Sequence, residues 1–295
     1  MELNDLKAFI AVAESGSFSR AADQLFITQP AVSKRIASLE EKLATRLFDR
    51  IGRSVSLTET GRHLRDRASR ILREVEDLQR SVSELDGEVA GTLTMATSHH
   101  IGLRRLPPVL KAYNQAYGRV KLDIRFMDSE EACLAVEQGS LELAIVTLPP
   151  NPAATLRLRE IWRDHLCFVA AEDHPLTKLS RVTPEDLVRY PALLASWGTY
   201  TREILERALK PTQLRLQIGM TTNYLETLKM LASIGLGWSL LPKTMTGDGD
   251  LRILPLGDIR LTRRLGVVYH HGHTLSNSAQ AMLDTCLRFA ESPTG

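Results

Sequence analysis

The sequence predicts an α/β protein that begins with an all-α-type winged helix-turn-helix and a long connecting helix. Three observations carry this reading. The first 45 residues hold three short segments of helical apolar spacing, residues from Leu64 to Leu85 keep an unbroken four-and-three apolar spacing, and strand-like and helix-like patterns alternate from Gly91 onward. A chain of 295 residues, 43% hydrophobic and 24% charged, suits two or three globular domains with cores of their own.

Leu6, Phe9, Ile10 and Ala13 lie at helical spacing, and Gly16 supplies a stop. Ser17 can cap a second helix with Phe18, Ala21, Ala22 and Leu25 on its inner face, followed by a turn at Phe26-Ile27. Thr28 or Gln29 opens a third helix with Pro30 in its first turn, where a missing N–H costs nothing. There Val32, Ile36, Leu39 and Leu43 form the stripe expected to be buried, and Gln29, Ser33, Lys34 and Ala37 occupy the opposite face. Two short helices joined by a tight turn, the second polar and basic outside, make a helix-turn-helix. Residues 47–50 and 54–57 read as a small hairpin with Ile51-Gly52-Arg53 at its tip, the wing.

Thr58 then caps a helix reaching about Asp86. Leu64, Ala68, Ile71, Val75, Leu78, Val82 and Leu85 form one seam with a 3.5-residue period. A helix on the order of 40 Å long with such a seam must bury it, and this period favours a partner helix, hence a dimer. Packing on the chain's own C-terminal part is the alternative. Gly87 and Gly91 bracket a hinge.

Beyond the hinge, residues 93–96, 120–126 and 141–146 read as strands, with helices at 107–117 and 129–138 between them. This β-α-β-α-β order implies a parallel sheet with helices on both faces. A second set begins with a strand from Trp162 and continues through a helix at 224–233 and the strand Trp238 to Pro242. A late strand, Leu265 to Tyr269, and a final helix, Asn277 to Ala290, close the chain.

The net charge of +2 hides an asymmetry: residues 34–73 hold eleven Lys and Arg against five Asp and Glu, as a polyanion-binding end requires. Cys133, Cys167 and Cys286 are scattered, which suits free thiols in a reducing cytoplasm. No apolar run is long enough to span a membrane, and the first residues lack the basic start of a signal peptide. A phosphate loop, a nucleophile elbow and paired carboxylates at a predicted strand end are all missing from this reading, so no catalytic residue is assigned. His99-His100 and His270-His271-Gly272-His273 are read as lying apart, with no metal or cofactor expected.

The segments Phe18-Ser19-Arg20-Ala21-Ala22, Thr28-Gln29-Pro30-Ala31-Val32-Ser33, Leu39-Glu40, Leu47-Phe48, Arg50, Arg53 and Leu57-Thr58-Glu59-Thr60-Gly61 resemble the signature of the LysR-type transcriptional regulators. Residues 141–145 and Gly235-Leu236-Gly237 leading to Leu240-Leu241-Pro242 match more loosely. The resemblance implies a cytoplasmic bacterial regulator, homodimeric or homotetrameric, with double-stranded DNA and a small-molecule effector as partners and room for contact with RNA polymerase. It also implies a C-terminal domain like a periplasmic binding protein, whose two lobes are joined by crossover strands near residues 162–170 and 265–269. The corresponding division is 1–57 for the winged helix-turn-helix, 58–90 for the linker helix and hinge, and 91–295 for the effector domain. Lobe I then takes 91–161 plus 268–295, and lobe II takes 162–267. Two departures are Arg35, where many members carry glutamine, and Ala44, where glycine is usual and little effect is expected.

A recognition helix needs bidentate hydrogen bonders for base edges and cations for phosphates. Gln29 suits adenine, Pro30 a thymine methyl, Ser33 an adjacent step or phosphate, Lys34 and Arg35 phosphate or guanine, and Arg50 and Arg53 a phosphate or narrow minor groove. At the other end, Thr97-Ser98-His99-His100, Ser196 with Thr199-Tyr200-Thr201, and Thr221-Thr222 precede predicted helices, and Thr147 ends a strand. Hydroxyls beside free helix N–H groups favour an anion, typically a carboxylate, although the same residues suit simple helix caps. Trp197, Tyr200, Tyr224 and Trp238 would allow an aromatic ligand. The alternative function is a DNA-binding regulator or architectural protein whose C-terminal domain takes no ligand and serves only oligomerisation.

Overall fold

The computed structural model describes residues 1–51, 54–83, 89–247, 249–257 and 259–291. They fall into two compact units, one built on residues 1–87 and the other on 88–137 and 141–295.

In the first unit, α1 (Leu3–Ser15) buries Leu6, Phe9 and Val12 and stops at Gly16, whose left-handed φ of 62° lets its N–H return to the Val12 carbonyl. The Ser17 hydroxyl accepts from Arg20 N–H to start α2 (Phe18–Gln24), and the Thr28 hydroxyl accepts from Ala31 N–H to start α3 (Gln29–Leu43). Val32, Ile36 and Leu39 are fully buried against Phe9 and Phe18. Leu43, expected in that stripe, is 38% exposed, because α3 ends there and the chain turns away.

Ala44 makes that turn with φ at 50°, a left-handed conformation in which its Cβ crowds the backbone. This conformation runs against the expectation that little follows from alanine here. Ala44→Gly is expected to stabilise the first unit by about 1 kcal/mol, the relief of that crowding outweighing the added freedom of the unfolded chain. Urea unfolding followed by circular dichroism checks this; an unchanged midpoint would mean that the turn is unstrained.

The wing is a hairpin of β1 (Phe48–Ile51) and β2 (Ser54–Leu57), in register from Phe48 opposite Leu57 to Ile51 opposite Ser54. Glu40 anchors it to α3 by accepting from Leu47 N–H at 2.7 Å. Helix α4 (Glu59–Ser83) follows, capped by Thr58, whose hydroxyl accepts from Gly61 N–H at 2.9 Å. A Cβ at Gly61 would lie 2.2 Å from the Leu47 carbonyl oxygen, so only glycine lets α4 approach the wing this closely. Ala68 is fully buried and Leu64 and Leu72 pack beside it in the protomer's own core, whereas Ile71 and Leu78 are 41% and 65% exposed. The single seam therefore divides: its first part serves the protomer, together with Leu72, which the heptad left out. Leu85 and Arg53 lie outside the described residues, as do the side chains of Val82 and Arg50.

The second unit runs β3 (Gly91–Thr97), α5 (His99–Arg104), α6 (Leu106–Ala116), β4 (Val120–Phe126), α7 (Ser129–Glu137) and β5 (Leu143–Thr147). It continues with β6 (Leu156–Ala171), α8 (Pro184–Leu187), β7 (Ala192–Leu194), α9 (Tyr200–Leu209), β8 (Ile218–Thr221) and α10 (Leu225–Ser233). The chain closes with β9 (Trp238–Pro242), β10 (Leu251–Ile253), β11 (Leu261–His270) and α11 (Asn277–Arg288). The sheet order is β4-β3-β5-β11-β6-β9-β7-β8, with β10 on β6. β3 is parallel to β4 and β5, and β7 to β8 and β9, but β11 runs antiparallel to both β5 and β6. The expected parallel sheet is therefore mixed, because the returning strand closes the first lobe.

Two long strands cross between the lobes. Ile161 and Trp162 of β6 and Leu265 and Val267 of β11 enter one core, with Leu93, Tyr113 and Met282. Leu166 and Phe168 of β6 and Leu261 of β11 enter the other, with Leu205, Trp238 and Leu240. Both strands begin earlier than the sequence suggested, at Leu156 and Leu261, since charged residues interrupt the alternation there. Burial pushes the Cys133 and Cys286 thiols up to about 11 and about 12, as expected of packed small side chains rather than reactive thiolates.

Candidate functional site

Two surfaces concentrate the residues singled out above. On α3, Gln29, Pro30 and Lys34 are exposed, while Ser33 and Arg35 are half-buried. Gln29 Nε2 donates to Ser33 Oγ at 3.0 Å, one turn along the same flank. With 3.6 residues per turn, Arg35 falls on the other side of the buried Val32–Ile36–Leu39 stripe.

In the second unit, the C-terminal ends of the parallel strands surround a cleft of about 570 Å³ between the lobes. Ser98, His99, His100 and Thr147 line it from the first lobe, and Ser196, Thr199, Thr201 and Thr222 from the second. Three expected residues are not brought there. Thr97 shares a strand face with Leu93 and Met95, against α5, and donates to the Ile145 carbonyl at 2.8 Å. Thr221 ends β8 outside the lining, and the Tyr200 ring packs on the first lobe's α7, its hydroxyl at Cys133. Of the four aromatic residues, only Tyr224 lines the cleft, edge-on to His99 at 5.1 Å. Trp238 is core, with its indole N–H on the Leu187 carbonyl.

The cleft also holds side chains that the sequence reading passed over. Asp128, Glu130 and Glu131 follow directly on β4 and line the first lobe, so carboxylates do stand at a strand end. Asp128 Oδ2 accepts from Asn223 Nδ2 at 2.6 Å, and Asn223 Oδ1 accepts from Ser196 N–H at 3.0 Å. Glu130 Oε1 accepts from Tyr200 N–H at 2.5 Å. The helix N-terminus expected to await an external anion thus already holds an internal carboxylate. Burial raises the Glu130 pKa above its ordinary value, although the Tyr200 N–H works against it. The signal that could have found this was the acidic run Asp128-Ser129-Glu130-Glu131 after an alternating strand.

Where the crossover strands face each other, Asp164 is fully buried. Its Oδ2 accepts from Arg263 Nε at 3.1 Å and Nη2 at 2.8 Å, and its Oδ1 from Arg105 Nη2 at 2.8 Å. His100 sits between this group and the second lobe, with Nε2 3.9 Å from Asp164 and Nδ1 3.7 Å from Glu226. Burial, aided by the Arg263 charge, pushes the imidazole down to about 4 against the pull of Asp164 and Glu226. Because the folded pKa is depressed, the unfolded chain takes up a proton that the native one refuses between pH 6.5 and about 4. Stability of this unit is therefore expected to be intact above 6.5 and to fall as the pH drops through that window, by at most about 1.4 kcal/mol per pH unit. Urea midpoints across the window should be flatter for His100→Gln; an equal slope would assign the dependence to other groups.

At the far end of β11, the His270 and His273 rings meet edge to face at 4.4 Å. Among the described residues, no three His, Cys, Asp or Glu side chains are grouped to hold a metal ion, and no helix is long and apolar enough to cross a membrane.

Residues 3–62 match the family model for the bacterial regulatory helix-turn-helix protein, lysR family, and residues 86–291 match that for the LysR substrate binding domain. An uncharacterized HTH-type transcriptional regulator from the ibpB-leuC intergenic region of Azotobacter vinelandii is 64% identical over 108 residues, 37% of this chain and 75% of its own length. The HTH-type transcriptional activator CmpR of Synechocystis is 28% identical over 286 residues, 96% of this chain and 93% of its own. Among solved structures, a full-length OxyR variant from Pseudomonas aeruginosa aligns with a TM-score of 0.76 at 20% identity, covering 98% of this chain and 95% of that one. Full-length CbnR complexed with its target DNA aligns at 0.67 and 21%, covering 98% and 100%. At these identities the two structures establish a shared fold.

Proposed function

The chain belongs to the LysR family of DNA-binding transcriptional regulators, and on that premise we propose that it controls transcription in response to a small molecule held between the two lobes of residues 91–295. The observation that supports this most is the cleft itself, with hydroxyls of both lobes converging at strand ends. The effector carries a carboxylate that displaces Glu130 from Tyr200 N–H, and Glu130 is the reason to expect one: that N–H already donates to a carboxylate. Since Glu130 and Tyr200 belong to different lobes, exchange of one carboxylate for another alters how the lobes are held. The altered geometry passes to the DNA-binding pairs.

At the DNA, residues 1–57 form the reading head and residues 58–90 the dimer linker. Gln29 and Ser33 read base edges, Pro30 meets a thymine methyl, and Lys34 engages phosphate. Arg35, across the stripe from Gln29, also engages phosphate rather than a base, and Arg50 and Arg53 hold the flanking backbone.

A thermal-shift screen of small carboxylates tests the sensing half. A ligand at 100 times its Kd should stabilise the unit by about 2.7 kcal/mol, and Thr199→Val or Thr222→Val should weaken the effect. If neither carboxylates nor other metabolites shift the midpoint, the architectural reading gains. Selection of bound sequences from random duplex DNA tests the other half. Gln29→Ala should relax preference at one position by about 1–3 kcal/mol, whereas Lys34→Ala should weaken all sequences alike and shallow the salt dependence.

A further inference from the structure

Beside α9 lies a second cavity, of about 700 Å³, that shares no lining residue with the cleft. Its chemistry is the reverse of the cleft's. The walls include Leu209, Leu214, Leu216 and Ile218, and the lining carries the cations Arg202, Arg207, Lys210 and Arg215 against only Glu203 and Glu206. Glu203 is engaged by Arg207 at 2.6 Å, and Glu206 by Arg202 Nε at 2.5 Å.

Arg202 itself is 3% exposed, and its Nη1 is buried with no hydrogen-bond partner among the described residues. A buried guanidinium normally has its fork filled, because each unmet charged donor costs more than an ordinary lost hydrogen bond. The guanidinium carbon stands 4.5 Å from the ring centroid of Trp197, which is 68% exposed. An exposed tryptophan stacked on a buried arginine offers an apolar plate beside an unfilled donor.

We propose that this cavity is a second ligand site, taking an amphipathic monoanion such as an aryl carboxylate. The carboxylate takes the free Nη1 of Arg202, and the hydrocarbon body lies against Trp197, Leu214 and Leu216. The excess of cations in the lining favours an anion, and the apolar walls exclude strongly hydrated ions such as phosphate. A cation would leave Nη1 as it stands and gain nothing there, and a neutral hydroxyl could accept from it without balancing the charge.

Titration of the full-length protein with 4-fluorobenzoate, followed by fluorine NMR and by tryptophan emission, tests this. Trp162 and Trp238 are buried, so quenching reports Trp197. Saturable binding is expected at about 0.1–1 mM, with quenching absent from Trp197→Phe. Arg202→Met should weaken binding about tenfold or more. Leu214→Glu, at a half-buried position in the same lining, should do the same by supplying an internal carboxylate. The cleft variant Thr222→Val should bind normally. Binding unaffected by both Arg202→Met and Leu214→Glu, binding abolished by Thr222→Val, or no saturation by about 10 mM would each overturn the proposal.

Discussion

Asp164→Ala is expected to lower the thermal midpoint of the C-terminal unit by on the order of 10 °C. The side chain of Asp164 is fully buried and neutralises Arg263, whose own side chain is 5% exposed, and Arg105 at 21%. Asp164 and Arg263 are direct partners in the β6–β11 register, where the two strands pass from one lobe to the other. Removing the carboxylate leaves Arg263 with Thr201 Oγ1 at 3.4 Å and a charge that water reaches poorly. Breaking a buried pair from one side costs about 3–5 kcal/mol, which is the magnitude behind the shift. Asp164→Leu with Arg263→Met should recover much of the loss, since the fully buried pair is then replaced from both sides and the part-exposed Arg105 keeps Glu291 at 2.8 Å. Burial alone would push the Asp164 carboxyl up, but the Arg263 charge and the Arg105 and Arg263 hydrogen bonds outweigh it and hold the group below 3.8. Its contribution is therefore present above the unfolded value and is lost as the pH falls through the folded one. Wild type and Asp164→Ala should converge in strong acid and diverge above about pH 4. Calorimetry across pH decides it. A midpoint within 2 °C of wild type at pH 7 would mean that Arg263 is solvated after all.

What the sequence made legible was short-range. Ser17, Thr28 and Thr58 cap the helices that follow them because a hydroxyl three residues ahead of an N–H needs nothing from the rest of the chain. The hydroxyls of the cleft were found for the same reason. The carboxylates were missed because the search was for donors awaiting a ligand, and Glu130 is an acceptor reaching Tyr200 across 70 residues of chain. The Asp164–Arg263 pair was hidden in a similar way: its partners are 99 residues apart, in strands whose register shifts at Leu265/Gly266. A Cβ at Gly266 would lie 2.0 Å from the Arg159 carbonyl oxygen, so the bulge depends on an approach that no local pattern announces. Thr97 shows the converse error, a hydroxyl of the right type on the wrong face of its strand.

The linker helix illustrates how one apolar period can hold residues with different neighbours. An α-helix drifts about 20° per heptad from a 3.5-residue repeat, so one apolar seam can serve two neighbours along its length. Here Leu64, Ala68 and Leu72 turn into the protomer's own core while Ile71 faces outward, 41% exposed on a helix of 25 residues. Two substitutions on adjacent residues should therefore have separable consequences. Leu72→Ala is expected to lower the stability of the N-terminal unit by about 2 kcal/mol and leave association intact. On the dimer linker proposed above, Ile71→Asp should leave folding nearly unchanged but place a carboxylate in the apolar seam offered to the partner helix. The assembly then dissociates at micromolar concentration, and with it goes the second DNA contact. Linkage of two half-site readings multiplies affinity by about 10²–10⁴, so operator binding should weaken by at least about a hundredfold while the contacts of each single head persist. Sedimentation velocity and operator titration at fixed salt measure the two effects. An Ile71→Asp protein that stays dimeric and binds its operator as tightly as wild type would move the interface off this helix.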